Sequence, residues 1–454
     1  MIRIPKIVCC FSLIVAALRA ESYDLQEAVA KALDRYPAVT ASAEQMAAAA
    51  AAIQLAKTSF LPRVDFSAQL NRATHNNVFG MLLPPAGVPG ISGPVLGTNS
   101  LASVWGSAVG FQVSWEPFDF GLRRAGVGLA EASRKSAEAA LIRTRFDVAR
   151  AAADAFLTLV AAQQLAVSAE AGVQRAEVLQ KTVAALVQAQ LRPGADLSRA
   201  RAEAAVAEAQ LIQARQAVAV AKAALSQFVG SPPEGIATRH QRLLELPPPA
   251  APAAIAEAHP LLAQREAVLQ EAQASRRVLE RAYYPKFAVT GATYARGTGA
   301  MTDGRRLGGL SGVGPNIHNW GVGFSVVFPL LDWPGLKARR EAADHQERAE
   351  SARREQARQD LSSALARAQA ELDGAWRMAQ NTPVRLEAAR DAERQAVARY
   401  KAGLGVLLEV AEAQRLVTQS EIDDSIAKLN VWRAMLGVAA AQGDLEHFLK
   451  QAGR

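Results

Sequence analysis

The chain has 454 residues, of which half are hydrophobic and only 6% aromatic, and its formal net charge is +8. Alanine dominates the hydrophobic share, which favours closely packed helices over a bulky globular core. Basic and acidic residues are interspersed, a pattern typical of solvated helix faces that argues against a nucleic-acid partner. The histidines are scattered and no metalloprotease, phosphate-loop or nucleophile-elbow motif occurs, so we expect neither an enzyme nor a metal or cofactor site.

Residues 1–20 have the pattern of a secretory signal peptide. A basic start precedes an apolar stretch from Ile7 to Leu18, and a small-residue site predicts cleavage after Ala20. A retained membrane anchor is the alternative, which the shortness of the stretch disfavours. Both cysteines, Cys9 and Cys10, lie in this leader, so we expect no disulfide in the mature chain. No later segment approaches about 18 uninterrupted apolar residues, so a membrane crossing by the mature chain would require a barrel.

Internal repetition is the most informative feature of the sequence. Two proline-containing pairs recur 223 positions later, and three further anchors recur 213 positions later. The matched positions are Tyr36-Pro37 with His259-Pro260, Leu61-Pro62 with Tyr284-Pro285, Val109-Gly-Phe111 with Val322-Gly-Phe324, Asp119 with Asp332, and Asp196 with Glu409. A single length difference between Pro62 and Phe111 reconciles the two offsets, so we interpret the chain as an internal duplication.

The duplication predicts a division of the chain into five segments. They are a signal peptide over 1–20, a first repeat over 21–230, a Pro-rich linker over 231–252, a second repeat over 253–447 and a C-terminal tail over 448–454. Each repeat has the same predicted order of a helix, a strand pair with a long loop, and two very long helices. The first helix begins at a capping box of Asp24 and Glu27, and we expect it to run to about Phe60.

The predicted strands alternate apolar residues with small or polar ones, which is the period of a β-sheet. One apolar face would also suit a soluble core, so alternation alone leaves soluble and membrane sheets open. The small second face and the aromatic strand ends favour a wall with lipid outside and water inside. The residues predicted to face the lumen are Gly110, Gln112, Ser114, Gly321, Gly323 and Ser325.

Two long helical hairpins follow the strand pairs. No proline interrupts the chain from Leu122 to Leu191, and apolar residues there recur in alternating steps of four and three, the seam of a coiled coil. The same spacing occurs from Leu197 to Phe228 and from Leu361 to Ala379. Small alanine side chains allow helices to approach closely, so antiparallel coiled coils are expected. Pro383 is expected to kink its helix.

Four strands cannot close a barrel with an open lumen, because barrel diameter grows with strand number. Closure therefore requires several chains, and a ring of identical chains is the simplest arrangement. Three chains would supply twelve strands and a water-filled channel, but the sequence by itself does not count the subunits.

This layout resembles the TolC-type outer-membrane factor family over essentially the whole mature chain. The matching motifs are Phe60-Leu-Pro62 and Tyr283-Tyr-Pro285, the strand exits Trp115-Glu-Pro-Phe-Asp-Phe-Gly121 and Phe328-Pro-Leu-Leu-Asp332, and the turn Tyr400-Lys-Ala-Gly-Leu404. Each motif is weak alone and specific in this order and spacing. The resemblance implies a mixed membrane α+β fold. Its four strands would contribute to a trimeric 12-stranded β-barrel, and its long antiparallel coiled-coil helices would form a periplasmic α-barrel.

The resemblance also assigns roles at the periplasmic tip. Family members carry a Val-Gly-Leu-like turn at the end of each hairpin, which a periplasmic adaptor protein grips. Ala402-Gly403-Leu404 fits this turn, whereas Ala189-Gln190-Leu191 lacks the glycine and is expected to differ, because Gln190 adopts a positive φ less readily. Gly405 stands where some relatives have a basic residue, which implies that one closing contact is missing.

Four further residues match the gate of the family. Asp196 and Tyr400 match a hydrogen-bonding pair that holds neighbouring coiled coils shut, and Glu409 and Glu412 match two acidic positions at the closed end of the tunnel. Three residues apart on a helix, these two carboxylates share a face. Repeated by threefold symmetry they would form a ring that favours cations. Two solvated glutamates are the alternative interpretation.

The expected function is therefore that of an outer-membrane exit duct in a tripartite efflux or type I secretion system. Its expected partners are two further copies of itself, a periplasmic adaptor protein, an inner-membrane pump of the RND, ABC or MFS type, and outer-membrane lipid. The alternative is a periplasmic coiled-coil adaptor or a surface adhesin without a channel. No residue identifies the exported substrate.

Overall fold

The computed structural model describes residues 21–74, 76, 99–248, 255–256, 258–328 and 331–453. The predicted signal peptide and the end of the predicted linker lie outside these residues. The elements in chain order are β1 (Glu21–Tyr23), α1 (Leu25–Arg35), α2 (Pro37–Thr58), β2 (Arg63–Thr74), β3 (Ser103–Phe118), α3 (Leu122–Gln188), α4 (Gly194–Val229), β4 (Ile236–Thr238), α5 (Pro260–Arg281), β5 (Lys286–Thr298), β6 (Ile317–Val327), α6 (Trp333–Lys401), α7 (Leu407–Gln442) and α8 (Glu446–Ala452).

The chain forms two compact units, and each takes segments from both halves of the sequence. The strand unit consists of Gln45–Glu138 and Arg265–Arg354. The hairpin unit contains the rest of the described chain. The units therefore do not coincide with the two predicted repeats.

The predicted single helix at the start of the chain is wrong, because the structure has two helices there. The capping box is present, since Asp24 Oδ1 accepts a hydrogen bond from the Glu27 N–H at 2.7 Å and Glu27 Oε2 accepts one from the Asp24 N–H at 3.0 Å. The break falls at Tyr36, whose ψ of 121° is extended. Pro37 follows, and a residue before proline is driven out of the helical region by the proline ring.

Four strands form one antiparallel sheet in the order β2-β3-β5-β6. The pairing places Val64, Phe66 and Leu70 of β2 on the same face as Phe111, Val113 and Trp115 of β3 and Trp320, Val322 and Phe324 of β6. Every one of these apolar side chains is exposed. The predicted alternation is confirmed, and the apolar face is exposed in a single chain.

Three of the four long helices are present where the coiled-coil spacing predicts them, and the fourth, α7, completes the predicted order of the second repeat. α3 and α6 contain 67 and 69 residues, and α4 and α7 contain 36 each. α6 continues through Pro383, and the neighbouring Thr382 hydroxyl donates to Asp424 Oδ1 of α7 at 3.0 Å. Among the described helices, α3 is long and apolar enough to cross a membrane by length and composition, and 44% of its most apolar window is buried inside the chain.

The predicted linker and tail are both more structured than their sequences indicated. Within 231–252, β4 pairs in parallel with β1, and Ile236 and Leu243 are buried in the main core of the hairpin unit. The indole N–H of Trp432, which is fully buried, donates to the Glu245 carbonyl at 3.0 Å. The predicted boundary at 447 falls inside α8, whose Phe448 is also buried in this core. The buried side chains of Ile236, Leu243 and Phe448 therefore anchor the predicted linker and tail in the core of the hairpin unit.

Candidate functional site

Two short turns in the hairpin unit carry the predicted tip residues. Residues 189–193, here called the first turn, connect α3 to α4, and residues 402–406, the second turn, connect α6 to α7. All of the predicted docking residues are exposed, and these are Ala189, Gln190, Leu191, Ala402, Gly403 and Leu404. Leu191 and Leu404 are 68% and 74% exposed. Each hairpin thus ends with a bare leucine side chain.

The two turns have the same backbone, which the sequence did not predict. The Leu191 N–H donates to the Leu186 carbonyl and the Leu404 N–H donates to the Arg399 carbonyl, both at 2.9 Å. Gln190 has a φ of 52° and Gly403 a φ of 79°, so both lie in the left-handed region. These bonds close a helix C-terminus by the motif that normally requires glycine. Gln190 therefore adopts the conformation of Gly403, at a steric cost that glycine does not incur.

Three side chains at the base of the turns form what we call the tip cluster: Arg192, Asp196 and Tyr400. The Tyr400 hydroxyl donates to Asp196 Oδ2 at 3.1 Å. The Arg192 guanidinium lies 4.3 Å from the centre of the Tyr400 ring and donates to the carbonyls of Tyr400 at 2.6 Å and Gly405 at 3.3 Å. The family resemblance implied the Asp196–Tyr400 pair. In this chain the cluster joins the α3–α4 hairpin to the α6–α7 hairpin.

Burial strengthens the tip cluster. Tyr400 is only 1% exposed and packs with Leu179, Val183, Leu407 and Val410, which come from both hairpins. Desolvation by this burial, together with the hydrogen bond to the Asp196 carboxylate and its negative charge, raises the pKa of Tyr400 to about 12. The phenol is therefore neutral and able to donate throughout the physiological range.

Arg192 is a functional candidate that sequence reasoning missed. It lies 213 positions before Gly405, the position where the resemblance implied a missing basic residue. Since Arg192 donates to the Gly405 carbonyl, the first turn supplies a basic group at the second turn. A comparison of equivalent positions in the two halves of the sequence could have identified it, because Arg192 is the equivalent of Gly405.

The two predicted ring residues lie at the start of α7. Glu409 and Glu412 are both exposed, and neither has an ion-pair partner within the described part of the chain. Asp196 and Glu409 are 213 positions apart and share a backbone pattern, because the Asp196 N–H donates to Pro193 and the Glu409 N–H donates to Val406. Their side chains differ, since Asp196 has a tyrosine partner and Glu409 does not. Farther along the hairpins, Arg415 pairs with Glu203 at 2.6 Å.

The predicted lumen residues lie together on one face of the sheet. In the register of the sheet, Gln112 of β3 pairs with Ala292 of β5, which pairs in turn with Gly321 of β6. Ser114 pairs in the same way with Thr290, which pairs with Gly323. Gly110 and Ser325 belong to the same face. A Cβ atom at Gly110 would lie 2.3 Å from the Cβ of Tyr294, so this position requires glycine. The face opposite the apolar one is thus built from small and polar side chains.

Comparisons with known proteins agree with this arrangement. The family model described as outer membrane efflux protein matches residues 28–231 and 251–444. The Campylobacter jejuni CmeC outer membrane channel is 16% identical, with a TM-score of 0.73 over 95% of this chain and 89% of that one. The Vibrio cholerae outer membrane protein VceC is 16% identical, with a TM-score of 0.71 over 92% of this chain and 96% of that one.

A third solved structure is described as an open state. It is the Neisseria gonorrhoeae MtrE outer membrane channel, which is 19% identical, with a TM-score of 0.72 over 95% of this chain and 93% of that one. A comparison with curated protein sequences found no match. The solved structures therefore show the fold, and the family model shows the family.

Proposed function

The chain belongs to the outer membrane efflux protein family, and from this premise we propose that three copies form a gated exit duct for a tripartite export system. Membership makes the chain an efflux channel of the outer membrane with a large periplasmic part. Family and neighbours are channel proteins rather than enzymes. The trimer, the gate and the partners are the finer elements of the proposal.

The observation that carries the proposal is the exposed apolar face of the sheet. Trp320, Val322 and Phe324 are 80%, 75% and 67% exposed, and Phe66 on the opposite edge strand is 61% exposed. A contiguous apolar face of this kind is unfavourable in water and favourable in hydrocarbon. The opposite face, with Gln112 and Ser114, suits a water-filled lumen.

The edges of the sheet support assembly from several copies. β2 and β6 each pair with one strand only among the described residues, so each leaves a row of backbone groups without a strand partner. Such groups cannot remain unpaired in lipid. Pairing of β2 with β6 of the next copy would satisfy both edges, and three copies would close twelve strands into a barrel.

The tip cluster supports a closed gate at the ends of the hairpins. Because Arg192, Asp196 and Tyr400 join the two hairpins of one chain, they oppose any motion that separates these hairpins. Opening of the duct would break these contacts. Glu409 and Glu412 would then form the acidic ring at the aperture, six carboxylates in a trimer, and would favour cations.

The exposed turns support docking of a periplasmic adaptor protein. Leu191 and Leu404 stand on identical backbone turns, so the chain presents two similar leucine-tipped surfaces. An adaptor could therefore engage both turns, and it would connect the duct to an inner-membrane pump. The shared hydrogen bonds at positions 213 apart also support the internal duplication, with repeats over 21–230 and 253–447.

Fractionation of cells that express the full-length chain tests the proposal. We expect an outer-membrane protein that migrates as a heat-labile trimer and conducts ions in planar lipid bilayers. A soluble periplasmic protein would instead indicate a coiled-coil adaptor. A surface protein that forms no ion-conducting pore would indicate an adhesin.

A further inference from the structure

A groove in the strand unit lies beside the apolar face of the sheet and is not used by the channel or the gate. It lies between the start of α3 and the end of α5 and has a volume of about 790 Å³. Its main lining residues are Phe118, Phe120, Arg124, Glu131, Arg277 and Arg281. This volume is within the usual range for sites that bind organic ligands.

A continuous series of aromatic rings connects the apolar face to this groove. Phe324, on the apolar face, lies 6.1 Å from Phe287, whose ring centre is 5.9 Å from that of Phe118 and 6.2 Å from that of Phe120. Phe120 also stacks on Tyr284 at 5.5 Å. Aromatic rings of this kind mark the level at which hydrocarbon gives way to lipid headgroups.

Three arginines follow where the aromatic rings end. Arg281 lies 5.8 Å from the Tyr284 ring, and Arg124 and Arg277 line the same groove. All three are exposed, and none has a carboxylate within ion-pair distance in the part of the chain that the structure describes. Their guanidinium groups are therefore available to an anion.

Other arginines close to the groove form ion pairs, so the lack of a carboxylate partner is specific to the three groove arginines. Arg123 pairs with Asp119 at 2.9 Å, and Arg276 pairs with Asp344 at 2.6 Å. Glu280, which borders the groove, is already paired with Arg276 at 3.4 Å and with Arg340 at 3.6 Å. This leaves Glu131 as the one lining carboxylate without a described ion pair, set against three such arginines. The unpaired lining charge is therefore positive.

We propose that this groove binds the phosphate headgroup of a membrane phospholipid, with the acyl chains along the aromatic rings and the apolar face of the sheet. The inference rests on the proposed function, because that function places the apolar face in lipid. Arginine suits the ligand, since its planar fork binds phosphate oxygens in pairs. A free phosphate would use the arginines but would gain nothing from the rings. The continuity of rings and arginines therefore favours a lipid.

The test uses the full-length trimer purified in a maltoside detergent and titrated with phosphatidylglycerol, with bound lipid counted by native mass spectrometry. The groove variant carries Arg124→Gln, Arg277→Gln and Arg281→Gln. The matched control carries Arg201→Gln, Arg358→Gln and Arg367→Gln, which are exposed arginines of α4 and α6 without a described ion pair. We expect the groove variant to bind roughly a hundredfold more weakly, since each of the three basic groups near a lipid surface contributes about fivefold. The control should bind as the wild type does.

A substitution that removes a negative charge from the groove should have the opposite effect on lipid binding. Glu131→Gln removes the lining carboxylate that has no ion pair among the described residues, so it should tighten lipid binding. Equal lipid binding by the wild type and the groove variant would overturn the inference, and so would equal losses in the groove and control variants. Full displacement of the lipid by inorganic phosphate at equal concentration would assign the groove to free phosphate instead.

Two further measurements keep this inference separate from the proposed function. A groove variant that no longer forms the heat-labile trimer would show that the arginines bind a neighbouring subunit, which also contradicts the inference. If the wild type inserts and conducts while the groove variant retains its lipid, only the lipid site is wrong. If the wild type forms no channel, the proposed function is wrong whatever the lipid result.

Discussion

The first and second turns have the same backbone but different side chains. Both close a long helix with the same hydrogen bonds and a left-handed residue, which is Gln190 in the first turn and Gly403 in the second. The acidic residue that follows each turn has a different environment in the two halves. Asp196 accepts a hydrogen bond from the buried Tyr400, whereas Glu409 is exposed and has no such partner.

We infer from this difference that, in the proposed gate, the first half contributes to closure and the second half to ion selection. The side chains after the first turn join the two hairpins, and Arg192 reaches across to the carbonyls of the second turn. The carboxylates after the second turn, Glu409 and Glu412, are exposed, and in the proposed duct they would be available to passing ions. In the proposed gate, the acidic residue of the first copy would serve closure and that of the second copy would serve ion selection.

Removal of Arg192 should produce the largest effect on this division. Arg192→Ala loses hydrogen bonds to two carbonyls and the contact with the Tyr400 ring, so the closed state should weaken. We expect the closed-to-open equilibrium to shift by at least about tenfold, because a single charged hydrogen bond contributes about 1.5–3 kcal/mol. Single-channel recording in planar bilayers measures this shift. Arg199→Ala, at an exposed arginine nearby on α4, is the control, and equal conductance in both variants would contradict the role.

Neutralisation of the second-turn carboxylates should change selectivity rather than closure. With Glu409→Gln and Glu412→Gln, the cation preference should fall severalfold because the acidic ring loses its charge. The reversal potential in a salt gradient measures this preference. Glu208→Gln, an exposed carboxylate on α4, serves as the control. An unchanged reversal potential would leave the two glutamates as solvated helix residues.

Alkaline pH should open the side of the tip that Tyr400 closes. The pKa of this phenol is raised from 10.0 to about 12, so its contribution to the closed state is fully present below pH 10 and is lost as the pH rises through about 12. Bilayer conductance should therefore increase between these values. Tyr400→Phe should conduct more at neutral pH and show no alkaline step. A wild-type step that persists in this variant would assign it to another group.

The smallest effect concerns the strain in the first turn. Gln190→Gly should stabilise the trimer by about 0.5–1 kcal/mol, because glycine accepts a positive φ without the penalty of a side chain. Gly403→Gln should destabilise it by a similar amount for the same reason. Thermal unfolding in detergent, compared among these variants and the wild type, measures both. If Gln190→Gly were the less stable protein, Gln190 would be making contacts that offset its strain.

The sequence predicted those parts of the fold that depend on periodicity. Alternation placed Phe111, Val113 and Trp115 on one face, and steps of four and three placed the long helices, since both patterns follow from backbone geometry. These patterns are local, so one sequence is sufficient to read them. The family resemblance, rather than periodicity, located both turns.

Features that depend on distant contacts were less accessible. The break at Tyr36 could be read from Pro37, but the burial of Ile236 and Phe448 in the main core depends on helices far away in the sequence. The role of Arg192 arises only when residues 208 positions apart meet at Tyr400. The positive φ of Gln190 opposes its intrinsic preference, and hydrogen bonds in the turn impose it.

The most direct test of the division between the turns compares two equivalent carboxylates in the same bilayer experiment. Asp196→Ala and Glu409→Ala remove an acidic group at positions 213 apart, after turns of the same backbone. We expect Asp196→Ala to raise the single-channel conductance severalfold and Glu409→Ala to leave the closed conductance at the wild-type level. Equal increases in both variants, or none in either, would contradict the account.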